Sequence, residues 1–226
     1  MSTHSVKIIS AEGNIGSGKS TFIANLKKKL QDNKDFMFLE EPVKEWESIK
    51  DEDGLSMLSK FYANQDRWSF AFQMMAYISR LAYLRNAMIE AEKNNVKYIV
   101  SERCVDTDRF VFAQMLFDDN KLDKAEFDIY KRWYYEFLKD IPVHARIYIE
   151  TSPTICSERV AKRARTGEVI PLAYLEKCHK YHNDWIETQK ENNTSVLSLD
   201  GNQDVFADTT VMETWLIKLD DFLSRV

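Results

Sequence analysis

The chain is poor in residues that break or cross-link structure. Its 226 residues include four prolines, six glycines and three cysteines. So few prolines, beside 44% hydrophobic residues, exclude a disordered polymer and leave one compact unit with room for a substantial core. Cys104, Cys156 and Cys178 are odd in number, widely spaced and lack a C-x-x-C, so they read as reduced thiols in an intracellular protein. No apolar run approaches the roughly 18 residues of a membrane span. Positive charge is in deficit too: the net charge is −5, and the broad basic surface of a nucleic-acid binder is not expected. The first strand begins by Val6 and leaves no room for a leader ahead of it. The expectation is a cytoplasmic protein with neither membrane nor nucleic acid as partner.

Three of the scarce glycines fall in one stretch. Gly13-Asn14-Ile15-Gly16-Ser17-Gly18-Lys19-Ser20 matches G-x-x-x-x-G-K-[ST], with Thr21 following. Before it, Lys7–Ala11 reads as a buried strand. After it, Phe22, Ile23, Leu26 and Leu30 share one face of a helix over Lys19–Leu30. Strand, glycine loop and helix form the context in which backbone N–H groups cradle a phosphate at a helix N-terminus. Lys19 is expected at the β- and γ-phosphates, and the Ser20 hydroxyl at Mg²⁺.

Further strands are expected at Phe36–Glu40, Tyr98–Ser101, Ala145–Glu150 and Ser195–Leu199. Helices are expected at Arg67–Glu92, Thr107–Phe117, Lys124–Lys139, Thr154–Lys162, Leu172–Glu191 and Thr209–Ser224. This alternation predicts an α/β, three-layer fold of the P-loop NTPase kind: a five-stranded parallel sheet flanked by helices, in a single domain spanning 1–226. Ligands of such sheets collect beyond the strand carboxyl ends. There the sequence places Glu41 before Pro42, and Glu102-Arg103 after the third strand. Glu41 suits a base for an alcohol acceptor, Glu102 a Mg²⁺-associated carboxylate, and Arg103 a counter-charge for a transferring phosphoryl group. Arg159, Lys162, Arg163 and Arg165 form a basic cluster ahead of Gly167, a candidate lid over about 159–170. Tyr62, Trp68, Phe70, Phe72 and Gln73 put aromatics and an amide near the start of the long helix, as a base pocket needs. His179 and His182 beside Cys178 invite a metal reading, but no second cluster supplies the remaining ligands, and packing is the preferred reading.

Taken together, these segments resemble the deoxynucleoside kinase family over nearly the whole chain. The resemblance rests on Glu12-Gly13-Asn14-Ile15-Gly16, Glu41-Pro42-Val43 with Trp46, and Arg67 to Gln73. It continues through Glu102 to Phe110, Arg163-Ala164-Arg165, and Ile170 to Lys177 with His179. It implies an ATP- and Mg²⁺-dependent kinase acting on a deoxynucleoside 5′-hydroxyl, and a homodimer. By position it implies Lys19, Glu41, Glu102 and Arg103 as catalytic residues. Gly13 to Thr21, Arg159, Arg163, Arg165 and the loop Gln203-Asp204-Val205 are implied on the ATP, with Ser20 and Glu102 on the metal. Glu41, Tyr62, Phe72, Gln73, Arg80, Arg103, Asp108, Phe112 and Glu168 are implied on the nucleoside, Tyr62 and Glu168 at its sugar 3′-hydroxyl. The pair Arg80 and Asp108 points away from thymidine. A purine deoxynucleoside is favoured, with deoxycytidine a close competitor.

Two rivals remain. A nucleoside monophosphate kinase has a phosphorylated acceptor and needs a basic residue where Glu41 stands. A GTPase switch needs an N-K-x-D that reads guanine, and none is assigned.

Overall fold

The computed structural model describes residues 6–137, 141–165 and 168–226. Five strands, β1 (Lys7–Glu12), β2 (Phe36–Leu39), β3 (Tyr98–Glu102), β4 (Val143–Glu150) and β5 (Ser195–Asp200), form one sheet in the order β2-β3-β1-β4-β5. Every pairing is parallel. The four expected outer strands and β1 are all present, with ends shifted by one or two residues.

The central strands are apolar on both faces because helices cover both. On one side α1 (Lys19–Lys29) and α10 (Thr209–Leu223) pack Phe22, Ile23, Leu26, Trp215 and Leu219 against Ile9, Ile147 and Ile149. On the other, α4 (Gln65–Lys93) and α7 (Lys124–Phe137) bury Tyr77, Leu84, Tyr130 and Tyr134 beside Ile8 and Ile99. The last described residue of α7 is Phe137, so the expected end at Lys139 lies outside the described residues. Truncating a fully buried side chain such as Leu84 costs about 2–5 kcal/mol. Behind β4 and β5 lies α9 (Leu172–Glu191), whose Trp185 and Ile186 meet Tyr148. There His182 is fully buried, its Nδ1 2.7 Å from the Cys178 carbonyl, while His179 Nε2 lies 3.1 Å from Asn183 Nδ2.

Two helices escape the sequence pattern: α2 (Val43–Ser48) and α3 (Met57–Ala63). Both are too short to show periodicity, and they stand through tertiary packing of Trp46, Leu58 and Phe61. The single helix expected over Thr107–Phe117 is instead a composite. It runs as α5 (Val105–Thr107), a π-helical turn at Asp108–Ala113, and α6 (Gln114–Asp118). The remaining helix, α8 (Pro153–Arg163), begins with proline at its first turn and carries the basic cluster.

β1 lies between β3 and β4, so its two neighbours are reached by chain running in opposite directions across the sheet. The crevice at its carboxyl end is where a ligand of a doubly wound sheet sits.

Candidate active site

At that crevice the chain leaves Glu12 into Gly13–Gly18. Gly13 and Gly16 have φ of +144° and +82°, and any Cβ there would collide, at Gly13 with the Ile149 carbonyl (2.6 Å) and at Gly16 with the Cys156 carbonyl (2.5 Å). Glycine is thus required both by conformation and by the close approach of β4 and α8. The helix that follows differs from its neighbours. α3, α4 and α10 are capped by the side chains of Ser56, Asn64 and Asp208. α1 starts on Gly18 with no side-chain cap and no acidic residue in its first turn. Its first N–H groups are left for an anion.

A cavity of about 1170 Å³ opens over this loop and extends beneath α4. Ile15 to Thr21 line one end, with Arg159, Arg163, Arg165, Gln203, Asp204 and Val205. Glu41, Tyr62, Phe72, Gln73, Arg80, Glu102, Arg103, Asp108, Phe112 and Glu168 line the rest. The structure therefore gathers nearly every residue singled out in the sequence. Gly13 and Asn14 sit just behind the wall: Gly13 accepts from Lys19 (3.1 Å) and Arg103 (3.2 Å), and Asn14 Nδ2 donates to the Leu175 carbonyl (2.9 Å). Within the lid segment, Thr166 and Gly167 lie outside the described residues.

Side chains at the far end are fixed by one charge network. Arg103 Nη1 (2.7 Å) and Arg80 Nη2 (2.9 Å) both donate to Glu41 Oε1. Glu41 Oε2 takes no hydrogen bond among the described residues. Arg80 also donates through Nε to Asp108 Oδ2 (2.8 Å) and through Nη1 to the Glu102 carbonyl (2.8 Å). Across the crevice, Ser20 Oγ donates to Glu102 Oε1 (2.8 Å), joining the first turn of α1 to β3. Arg103 adopts a left-handed backbone, φ +62°, held by its N–H to the Ala11 carbonyl and by Ser101 Oγ on its own carbonyl. Such a conformation costs of order 1–3 kcal/mol, and it turns the guanidinium off the strand toward Glu41 and the loop.

The aromatic wall is narrower than the sequence implied. Phe61 stacks on Phe72 at 4.3 Å, Trp46 meets Phe72 edge-on, and Phe112 faces Arg103 at 5.1 Å. Trp68 and Phe70 are not part of this wall. Trp68 is held between Lys60 and Arg67 at a separate groove, and Phe70 packs on the core cluster under α4. Residues that sequence reasoning left out also line the cavity: Trp46, Phe61 and Ala76 at the acceptor end, and Phe206, Met212 and Trp215 beside α1. Only the run of Trp46 after Glu41-Pro42 hinted at any of them.

An N-K-x-D string does occur in the chain, as Asn120-Lys121-Leu122-Asp123. It forms the turn between α6 and α7, where Lys121 pairs with Asp66 and Asp123 Oδ1 accepts from the Glu126 N–H. None of the four lines the cavity. A guanine reader must stand beside its nucleotide, so this string does not support a GTPase.

Comparison with known proteins gives the same direction. The family model described as deoxynucleoside kinase matches residues 9–224. This chain belongs to the deoxynucleoside kinase family. It is 35% identical to human deoxycytidine kinase, covering 98% of this chain and 92% of the human protein. It is 34% identical to a probable deoxycytidine kinase of Fowlpox virus (strain NVSL), covering 100% and 91%. It is 32% identical to a mitochondrial deoxyguanosine kinase of Xenopus laevis, covering 84% and 76%. The chain is accordingly an ATP-dependent kinase that phosphorylates deoxynucleosides.

The electrostatics of the site suit a kinase of this family. Burial lowers the Lys19 ammonium to about 8, and the nearby charge of Arg103 adds to the shift. Burial alone would push the Glu41 carboxyl up, but Arg103, Arg80 and Lys19 together outweigh it and hold the group below the usual carboxylate range. Glu41 is therefore an anion at every pH at which the fold is expected to stand. Burial likewise raises the Tyr62 phenol, with the negative Glu168 adding to it, so Tyr62 stays a neutral hydrogen-bond donor.

Proposed function

We propose that this kinase transfers the γ-phosphoryl group of ATP to the 5′-hydroxyl of a deoxynucleoside, with Glu41 as the base. The observation that carries this is the ionised carboxylate at the end of β2, anchored through one oxygen by two arginines in the cavity wall that continues from the phosphate loop. Anchoring through Oε1 keeps Oε2 available to a hydroxyl proton. An acceptor phosphate, as in a nucleoside monophosphate kinase, would be repelled at this carboxylate.

The other roles follow from position. The loop N–H groups and Lys19 hold the β- and γ-phosphates; Arg103, fixed to both Glu41 and the Gly13 carbonyl, aligns acceptor and donor. Arg159, Arg163 and Arg165 meet the equatorial phosphate oxygens, and Gln203, Asp204 and Val205 the adenine. A hydroxyl and a carboxylate in mutual contact, Ser20 with Glu102, are the hard oxygen donors that Mg²⁺ prefers, so these two residues fit the ion. When bound with ATP, the ion supplies neutralisation of phosphate charge. Tyr62 and Glu168 bind the sugar, Phe72 and Phe112 sandwich the base, and Gln73 with the Arg80–Asp108 pair reads its edge.

The base is taken to be a purine. The names of the relatives, deoxycytidine kinases among them, favour deoxycytidine as the second reading. Exposed Ile78 and Ile89 on α4 and Ile129 and Trp133 on α7 support a homodimer through these helices, and three free, buried cysteines support a cytoplasmic setting. A phosphorylation assay over the four deoxynucleosides, with their ribose and monophosphate counterparts, tests the reading. Turnover of deoxycytidine or the purines above thymidine is expected; preferential turnover of monophosphates would overturn it.

A further inference from the structure

The cations around the phosphate loop are held by two kinds of partner. Lys19 Nζ donates to the carbonyls of Gly13 and Asn14 (3.1 and 2.7 Å), and Arg159 to those of Ser17 and Gln203 (3.3 and 3.1 Å). A carbonyl is neutral, so a polyphosphate draws these groups away as the stronger, charged acceptor. Arg163 and Arg165 are different. Arg163 Nη2 lies 2.5 Å from Glu168 Oε2, and Arg165 Nη1 lies 3.6 Å from Glu168 Oε1. The Glu168 side chain is 3% exposed and those of the two arginines 35% and 31%. The carboxylate is thus the buried member, and it cannot give up both cations without other donors to replace them.

Replacement donors are at hand on one side only. Glu168 lines the cavity with Tyr62, and its charge is what raises the Tyr62 phenol beyond the effect of burial. The Tyr62 hydroxyl makes no hydrogen bond among the described residues. A sugar hydroxyl entering beside Tyr62 brings a second O–H. Two hydroxyl donors then stand where two guanidinium groups stood, and every polar atom keeps a partner.

We propose that Glu168 is a shared acceptor that couples the two substrates. When the nucleoside's 3′-hydroxyl and Tyr62 take its oxygens, Arg163 and Arg165 are released to the triphosphate. Full donor binding therefore waits for an acceptor that carries this hydroxyl, and water is a poor substitute because it lacks the sugar that positions it. The inference rests on the kinase reading above and adds a direction of coupling to it.

The test is equilibrium binding of an ATP analogue with a non-hydrolysable β,γ bridge. It is measured alone, with a saturating deoxynucleoside, and with the matching 2′,3′-dideoxynucleoside at a concentration shown by its own isotherm to saturate. For the wild type, the deoxynucleoside is expected to tighten the analogue about threefold to tenfold and the dideoxynucleoside to leave it unchanged. Glu168→Gln is expected to bind the analogue alone as tightly as the wild type does with deoxynucleoside, and to gain nothing further from the acceptor. Equal tightening by the two nucleosides, or none by either, overturns the proposal. So does a Glu168→Gln variant whose affinity rises equally with and without acceptor, which marks simple removal of a negative charge. If that variant does not fold, the two nucleosides on the wild type decide the matter. A wild type that phosphorylates deoxynucleosides without such coupling loses only this inference; one that phosphorylates none loses the kinase reading itself.

Discussion

The two ends of the cavity are built on opposite plans. The donor end is local: nine consecutive residues, Gly13 to Thr21, shape it largely through backbone, and its cations Lys19 and Arg159 rest on neutral carbonyls. The acceptor end is assembled from β2, α3, α4, β3, the π turn and the segment before α9, and its charges are already paired with one another. A phosphate chain looks the same from every nucleotide, so a fixed backbone cradle suffices. An acceptor must be selected and activated, and that calls for side chains whose positions depend on each other.

Variants at either end separate the two plans. The largest effect is expected for Glu41→Gln, with kcat reduced about 10³-fold or more and ATP-analogue affinity nearly unchanged. Steady-state kinetics beside equilibrium binding check it; a retained kcat would move the base elsewhere. Gly16→Ala should do the reverse. A Cβ 2.5 Å from the Cys156 carbonyl at φ +82° costs about 2–4 kcal/mol of stability, and ATP affinity is expected to fall about 10²-fold. Chemical denaturation and nucleotide titration read both, and a variant that binds ATP normally would show the cradle to be looser than its geometry.

Next in size, Arg80→Met with Asp108→Ala is expected to shift the kcat/KM ranking toward thymidine by about tenfold. An unchanged ranking would limit this pair to structure. The smallest effect is in pH. Lys19 titrates near 8, so ATP binding above that pH must take up a proton, and affinity should fall by less than tenfold per pH unit as pH rises past 8. For folding the sign is opposite: between about 8 and the ordinary lysine value the unfolded chain holds the extra proton, so this group makes stability rise with pH. Calorimetry in buffers of different ionisation enthalpy detects the uptake, and a pH-independent affinity to pH 9 would contradict it.

The same division explains what could be read from the sequence. The donor end is contiguous, so its motif names its residues, and Glu41 and Glu102-Arg103 stand out because strand ends are easy to locate. The acceptor wall is less legible. Trp68 and Phe70 share a stretch with Phe72 and Gln73, yet α4 carries apolar residues around most of its girth, and only packing shows which of them face the cavity. Trp46 and Phe61 come from helices too short to announce themselves. The contact of Arg80 with Glu41, 39 residues apart, belongs to tertiary structure alone. The Asn120–Asp123 string teaches the converse, that a motif without its setting carries no chemistry.

The π turn at Asp108–Ala113 sets a limit on how this chain can vary. A π turn holds one residue more than an α turn, so deleting any one of these six would let the segment close into ordinary helix. Everything beyond the deletion would then rotate by about 100° relative to Asp108. Asp108 and Phe112 line the cavity while Val111, Ala113 and Met115 are buried in the interior, and no α-helix of one residue fewer keeps both registers. Point substitutions are open to this segment; a change in its length is not.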